Sequence, residues 1–124
     1  MKTIENLQSI NTDSVSKMEE TVDEIDKLID DPNLSLADES RLISRRATLT
    51  AQINNQMIVQ AHLKASKVIV NFTPQEESDL DALNDEMDTL IVKGLKVDAM
   101  LSLVPKVIDT ALAIGNTITT HTGV

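Results

Sequence analysis

The chain of 124 residues contains one aromatic side chain, Phe72, and no tryptophan or tyrosine. A core without aromatic residues has to be built from leucine, isoleucine, valine, methionine and alanine. Because β-sheets draw on aromatic and β-branched residues, this shortage favours a helical fold. It also removes the flat rings on which proteins that bind RNA or single-stranded DNA stack bases.

Cysteine is absent, which excludes a disulfide framework and thiolate chemistry and is compatible with every compartment. No run approaches the roughly 18 apolar residues that a membrane-spanning helix needs. Residues 1–6 lack the apolar segment of a secretory signal peptide. We therefore expect a soluble, cytoplasmic protein without a membrane span, and export without a leader peptide is left open.

Acidic side chains are missing from residues 40–75, although the whole chain has a net charge of −9. That stretch contains five basic residues: Arg41, Arg45, Arg46, Lys64 and Lys67. Residues 1–31 are acidic on balance, and residues 76–88 have seven acids and no base. The alternation predicts a basic helix lying between two acidic ones. The acidic total disfavours a nucleic-acid partner, because phosphates repel it.

Apolar residues recur at steps of three and four, which predicts three helices, over about residues 4–30, 35–72 and 74–119. Pro32 ends the first helix, because the residue before a proline is disfavoured in the α conformation. Ser35 followed by Asp38 predicts a capped start of the second helix. Residues 119–124 are expected to be a frayed tail. We expect a single domain spanning residues 1–124, an all-α, three-helix antiparallel bundle of coiled-coil type.

The start of the third helix has the strongest local signal in the chain. Thr73 is suited to capping the helix, Pro74 to its first position and Glu76 to its third. The apolar spacing then continues through Pro105 without a change of phase. We therefore predict one long third helix that is kinked near Pro105 rather than ended there.

The middle helix is predicted to have two apolar faces. One follows Leu42, Leu49, Leu63 and Val70. The second consists of Ile43, Ala47, Met57, Ala61, Val68 and Phe72. A helix that is apolar on two faces is expected to be flanked on both sides, which agrees with its middle position in the bundle.

The residues needed for catalysis or metal binding do not occur in a usable pattern. Asp31 and Asn33 match the first ligands of an EF-hand loop, but Leu42 stands where the bidentate glutamate is required. His62 and His121 lack the glutamate three residues earlier that helical di-metal sites use. There is no nucleophile elbow and no phosphate-binding glycine loop. The sequence therefore predicts a protein that is not an enzyme and holds no cofactor or metal ion.

The last third of the chain has more apolar residues than a three-helix core requires. Those that lie off the main apolar line of the third helix, together with a glycine that would permit close approach, are Leu95, Leu103, Val107, Leu112, Ile114 and Gly115. An apolar surface that one copy cannot cover favours a protein partner or self-association. We therefore predict a non-enzymatic interaction module, adaptor-like or chaperone-like, that binds a partner helix or itself through these residues.

Two alternatives stay open at this point. The chain is also consistent with a self-assembling structural subunit of a secretion apparatus or filament, whose contacts need not close into a dimer. The acids of residues 76–88 are consistent with an acidic inhibitor of the immunity-protein or antitoxin type, which would bind with a strong dependence on salt.

Residues 13–72 combine the turn Asp31-Pro32, a following helix poor in acids and the sequence Ile69-Val70-Asn71-Phe72. In these features the segment resembles the helical hairpin of type III secretion needle and inner-rod subunits. The resemblance covers about half of the chain, which departs from the pattern by continuing for 52 residues beyond Phe72 and by lacking tyrosine and tryptophan. It implies a secretion-related helical protein, and it assigns no functional residue.

Overall fold

The structure, a computed structural model, describes residues 1–65 and 69–123. Its helices are α1 (Ile4–Ile29), α2 (Leu36–Lys64), α3 (Pro74–Thr89) and α4 (Val97–Thr122). These described ranges contain no strand, so the all-α class is confirmed. The prediction of three helices is wrong, because the segment expected to form one long third helix forms both α3 and α4.

The helices alternate in direction, and α2 and α3 occupy opposite corners of the bundle. Helices α1, α2 and α4 pack against one another, whereas α3 packs on α1 and α4 and, among the described residues, not on α2. The backbone N–H of Lys2 donates to Glu77 at 2.7 Å, so α1 and α3 begin side by side. The backbone N–H of Asn71 donates to the carbonyl of His121 at 2.9 Å, so α4 ends where α3 begins.

The turn between α1 and α2 follows the sequence prediction closely. α1 stops at Ile29, one residue short of the predicted end, and Pro32 lies in the turn. The Ser35 hydroxyl accepts a hydrogen bond from the backbone N–H of Asp38 at 3.1 Å, which satisfies one free donor at the start of α2. Pro32 and the capping Ser35 therefore determine where the turn between α1 and α2 lies.

The predicted end of the second helix is wrong, because α2 stops at Lys64 and residues 69–72 are not helical. The backbone N–H of Asn71 bonds to α4 instead, and Thr73 needs an extended backbone in order to cap α3. Residues 66–68, which include Lys67 and Val68 of the predicted helix, lie outside the described residues, as does Val124.

The predicted start of α3 is confirmed. The Thr73 hydroxyl accepts from the backbone N–H of Glu76 at 3.2 Å, and the Glu76 carboxylate accepts from the backbone N–H of Thr73 at 3.0 Å. This reciprocal capping box, with Pro74 in the first turn, satisfies donors that would otherwise be unpaired.

Residues 90–96 break the helix that was predicted to be continuous, and they lie along α1. The Lys17 ammonium donates to the carbonyl of Leu90 at 3.0 Å, and the backbone N–H of Gly94 donates to the carboxylate of Glu24 at 3.0 Å. Gly94 has a φ of 70°, a conformation that glycine adopts without strain. The apolar spacing continues across this segment although its backbone is not helical, which is why the break was missed.

α4 continues through Pro105, so the proline does not end it. The helix reaches Thr122, and the tail predicted to fray from residue 119 is helical to that point. The apolar line that the spacing predicts for this stretch is Val97, Leu101, Val104, Ile108, Ala111, Gly115 and Ile118, and it is buried in part: Val97, Leu101 and Ile108 are half-buried, and the rest are buried. α4 also buries apolar residues beside that line. Its buried apolar residues are Met100, Val104, Val107, Ala111, Ile114 and Ile118.

The core is aliphatic, as the composition requires. α3 contributes only two buried residues to it, Leu80 and Met87. α1, α2 and the linker supply most of the rest of the buried apolar side chains: Leu7, Ile10, Met18, Ile25, Leu42, Leu49, Leu63 and Val92. Within the described part of the chain, none of the helices has the length and apolar character that crossing a membrane requires.

Candidate functional site

The six residues predicted to bind a partner do not form one surface. Val107 and Ile114 are fully buried, and Gly115 is buried against α2. They belong to the core of this chain because α4 buries a wider face than its predicted apolar line, one that includes Val107 and Ile114 beside that line. Leu112 is the only exposed member of the set, with 43% of its surface accessible. Partner binding by these residues stays a prediction.

Leu95 and Leu103 are partly buried and line an open groove between the α3–α4 linker and α4. The groove has a volume of about 400 Å³, and Leu90 and Ile91 form its other apolar wall. Lys106 lies at its edge. The groove lies apart from Leu112, so the predicted set divides into a core group, a groove group and one exposed leucine.

Gly115 packs against a buried polar layer that joins three helices. The Gln56 side chain donates to the carbonyl of Ala111 at 3.0 Å, and a Cβ added to Gly115 would overlap the Gln56 amide nitrogen. The Asn11 amide donates to the carbonyl of Gln56 and to the side chain of Gln60, both at 2.9 Å. These bonds fix the register of α1, α2 and α4, because buried polar groups have to find their partners.

One face of α2 is uncharged and exposed along the length of the helix. We call it the α2 outer face: Leu36, Ser40, Ile43, Ala47, Thr50, Asn54, Met57 and Ala61. All eight residues are exposed, and they follow one another at steps of four and three along the helix. Leu36, Ile43 and Met57 are 84%, 51% and 55% accessible. The face is about 37 Å long at the rise of an α-helix.

The prediction that the middle helix is flanked on both sides is wrong. α2 packs on α1 and α4 through the line that contains Leu42, Leu49 and Leu63, and its second face is left exposed. Phe72 does not extend that face, because it lies outside the helix and its ring centroid is 4.9 Å from that of His121. The sequence contained the signal for this face, since a line of eight uncharged residues runs along α2 in addition to the apolar line through Leu42, Leu49 and Leu63.

Charges at the sides of the α2 outer face are unevenly distributed. Arg46 donates to Asp26 of α1 at 2.7 and 3.3 Å, and the Asp26 carboxylate raises the pKa of that guanidinium. Arg41 pairs with Asp38 at 3.0 Å. Acids occur only at the N-terminal end of α2 and in the turn before it, and the C-terminal end is basic: Asp30, Asp31, Asp38 and Glu39 against His62 and Lys64.

At the opposite corner, α3 presents an acidic surface. The Glu76 carboxylate lies 2.6 Å from the ring nitrogen Nε2 of His121. The pKa of Glu76 is lowered, chiefly because its carboxylate accepts from the backbone N–H of Thr73, and His121 adds to the effect. Glu77 lies 3.6 Å from the amino terminus, and Asp81 pairs with the Lys2 ammonium. The α3 sequence itself contains no base for its other acids.

Within residues 1–65 and 69–123, no three or more histidine or acidic side chains come together in a way that could hold a metal ion. Comparison with protein families, with curated proteins and with solved structures finds no match to the chain. The function is therefore argued from the exposed surfaces of the molecule.

Proposed function

We propose that the chain is a non-enzymatic, adaptor-like interaction module that binds an α-helix through the α2 outer face. The observation that carries this proposal is the exposure of Leu36, Ile43 and Met57 on one uncharged line of a long helix. Apolar residues at steps of three and four are what one helix presents to another in coiled coils and helix-in-groove complexes.

Burial of this face would provide a driving force for association. Fully burying a leucine, isoleucine or methionine side chain stabilises by about 1.5–3 kcal/mol, part of which is still available to each of these half-exposed residues. Leu112 is the exposed residue of the predicted set, and it lies on α4 three residues before Gly115, which packs against the inward side of α2. The α2 outer face therefore contains none of the six residues that the sequence predicted to bind a partner.

The test is a quantitative capture experiment on extract of the native host with the immobilised chain. The wild type is compared with Ile43→Glu/Met57→Glu, and with a matched control, Ser16→Glu/Ala82→Glu, which adds the same charge at exposed positions on α1 and α3. We expect a protein, or the chain itself, to be retained by the wild type and the control and lost by the face variant. Circular dichroism should show equal helix content, because all four positions are exposed. Equal retention by all three proteins would contradict the proposal.

The two alternatives have different signatures. A filament or secretion-apparatus subunit predicts growth beyond a closed dimer as concentration rises, measured by light scattering. An acidic inhibitor predicts that binding depends on α3, so that neutralising Asp81 and Asp85 would abolish it while Ile43→Glu/Met57→Glu leaves it unchanged.

A further inference from the structure

We infer that the occupant of the α2 outer face is the same face of a second copy, with the two α2 helices antiparallel. This inference rests on the proposed function and names the partner. A two-fold axis between Ala47 and Thr50 pairs Leu36 with Ala61, Ser40 with Met57, Ile43 with Asn54 and Ala47 with Thr50, each in both directions.

Side-chain size favours this register. Each of the three long apolar residues, Leu36, Ile43 and Met57, meets a shorter one on the second copy. Alternation of large and small residues lets facing helices interdigitate without voids. A parallel pair would set every residue against itself, so that Leu36 would meet Leu36 and Ser40 would meet Ser40. Large pairs would then hold the helices apart and leave the small pairs out of contact.

Charge favours the same orientation. In the antiparallel pair, Lys64, which continues the α2 outer face one step beyond Ala61, lies near Asp31 in the turn before α2 of the second copy, and this occurs twice. In a parallel pair Lys64 would meet Lys64 and the two acidic turns would lie side by side, which is destabilising. The dipoles of the two helices also run in opposite directions in the antiparallel arrangement, which is favourable for dipoles that lie side by side.

The position of α2 makes the face accessible without rearrangement. α2 contacts only α1 and α4 among the described elements, so its outer side is a free corner of the bundle. The acidic helix α3 lies at the opposite corner. Two copies that each have a net charge of −9 therefore meet through the helix that has no acid after Glu39.

Cysteine cross-linking tests this arrangement, because the natural chain has no cysteine and only introduced thiols react. The double variant Leu36→Cys/Ala61→Cys is treated with a short bis-maleimide, and each single variant is treated in parallel. In the antiparallel dimer residue 36 is adjacent to residue 61 of the second copy, but it is about 37 Å from residue 36. We expect dimer from the double variant and little from either single variant. Ser16→Cys/Ala82→Cys, exposed elsewhere, is the control for random collision.

Light scattering coupled to size-exclusion chromatography completes the test, and we expect a dimer that Ile43→Glu converts to a monomer. Single variants that cross-link as well as the double variant would overturn the antiparallel arrangement. A wild type that is monomeric over the whole concentration series would overturn self-association. If that monomer still captures a protein that Ile43→Glu/Met57→Glu does not, the interaction module stands and only its partner has been misassigned. If the monomer captures no protein, or if Ile43→Glu/Met57→Glu captures the same protein equally well, both proposals fail.

Discussion

At the scale of single residues, the contact between Gly115 and Gln56 shows why a glycine occupies the middle of a helix. Glycine destabilises a helix interior by about 1 kcal/mol relative to alanine. The position nevertheless permits no Cβ, because the Gln56 side chain fills that space and donates to the carbonyl of Ala111. The approach of α2 to α4 therefore depends on the missing side chain.

Gly115→Ala is expected to destabilise the protein by about 1–2 kcal/mol. The new methyl group displaces Gln56 and breaks its buried hydrogen bond, which costs about 1–3 kcal/mol and exceeds the gain in helix propensity. The measurement is urea unfolding followed by circular dichroism. In a Gln56→Ala background the clash is gone, so the same change should be neutral or stabilising. A glycine substitution that destabilises equally in both backgrounds would mean that the Gln56 contact is not the cause.

At the scale of elements, short local signals were predicted correctly from the sequence, whereas the long apolar line of the third predicted helix was predicted only in part. The caps at Ser35 and Thr73 and the stop before Pro32 depend on neighbouring residues alone, so the sequence contains all the information that they need. The break between α3 and α4 has no such signal, because Lys96, the residue just before α4, makes no side-chain capping hydrogen bond. What holds the break is Glu24, seventy residues away from Gly94 in the chain.

The candidate site was predicted only in part, for the same reason. A leucine at a helical position is core or surface according to which side of the helix its neighbours cover. Val107, Ile114 and Leu112 are all aliphatic, but neighbouring helices cover the first two and leave Leu112 exposed. The α2 outer face could be found as an apolar line, but its exposure depends on α3 packing at the far corner, which no local pattern specifies.

The Glu76 cap makes the stability of α3 dependent on pH. The folded state lowers the pKa of Glu76, so this carboxylate contributes stability above its ordinary pKa, and the contribution is lost as pH falls through the lowered value. We expect the melting temperature of the wild type to exceed that of Glu76→Gln at pH 6, and the difference to be smaller at about pH 3, below the ordinary glutamate pKa. A difference that is the same at both pH values would show that the charge of Glu76 is not involved.

At the scale of the whole molecule, the net charge predicts how salt changes the affinity of the dimer. The expected direction is opposite to that of the acidic-inhibitor alternative. Two chains of net charge −9 repel one another at long range, and salt screens that repulsion. We expect the dissociation constant of the dimer to fall several-fold between about 20 and 200 mM salt, over which the Debye length drops to under about 10 Å. Analytical ultracentrifugation at each salt concentration measures the dissociation constant. An inhibitor that binds a basic target through α3 would show the opposite trend, with binding weakened by salt.

Within the described residues α2 and α3 do not pack on each other, and this has a consequence for local unfolding of the molecule. α3 contributes only Leu80 and Met87 to the buried core, whereas the other three helices pack against one another directly. The peripheral helix can therefore unfold while α1, α2 and α4 stay assembled, as a cooperative unit of lower stability than the whole. Amide protons of α3 would then exchange with solvent through partial opening, and those at the centre of α1 and α4 only through global unfolding. A chain cut in the linker of residues 90–96 would lose the acidic corner of the bundle before it lost its core.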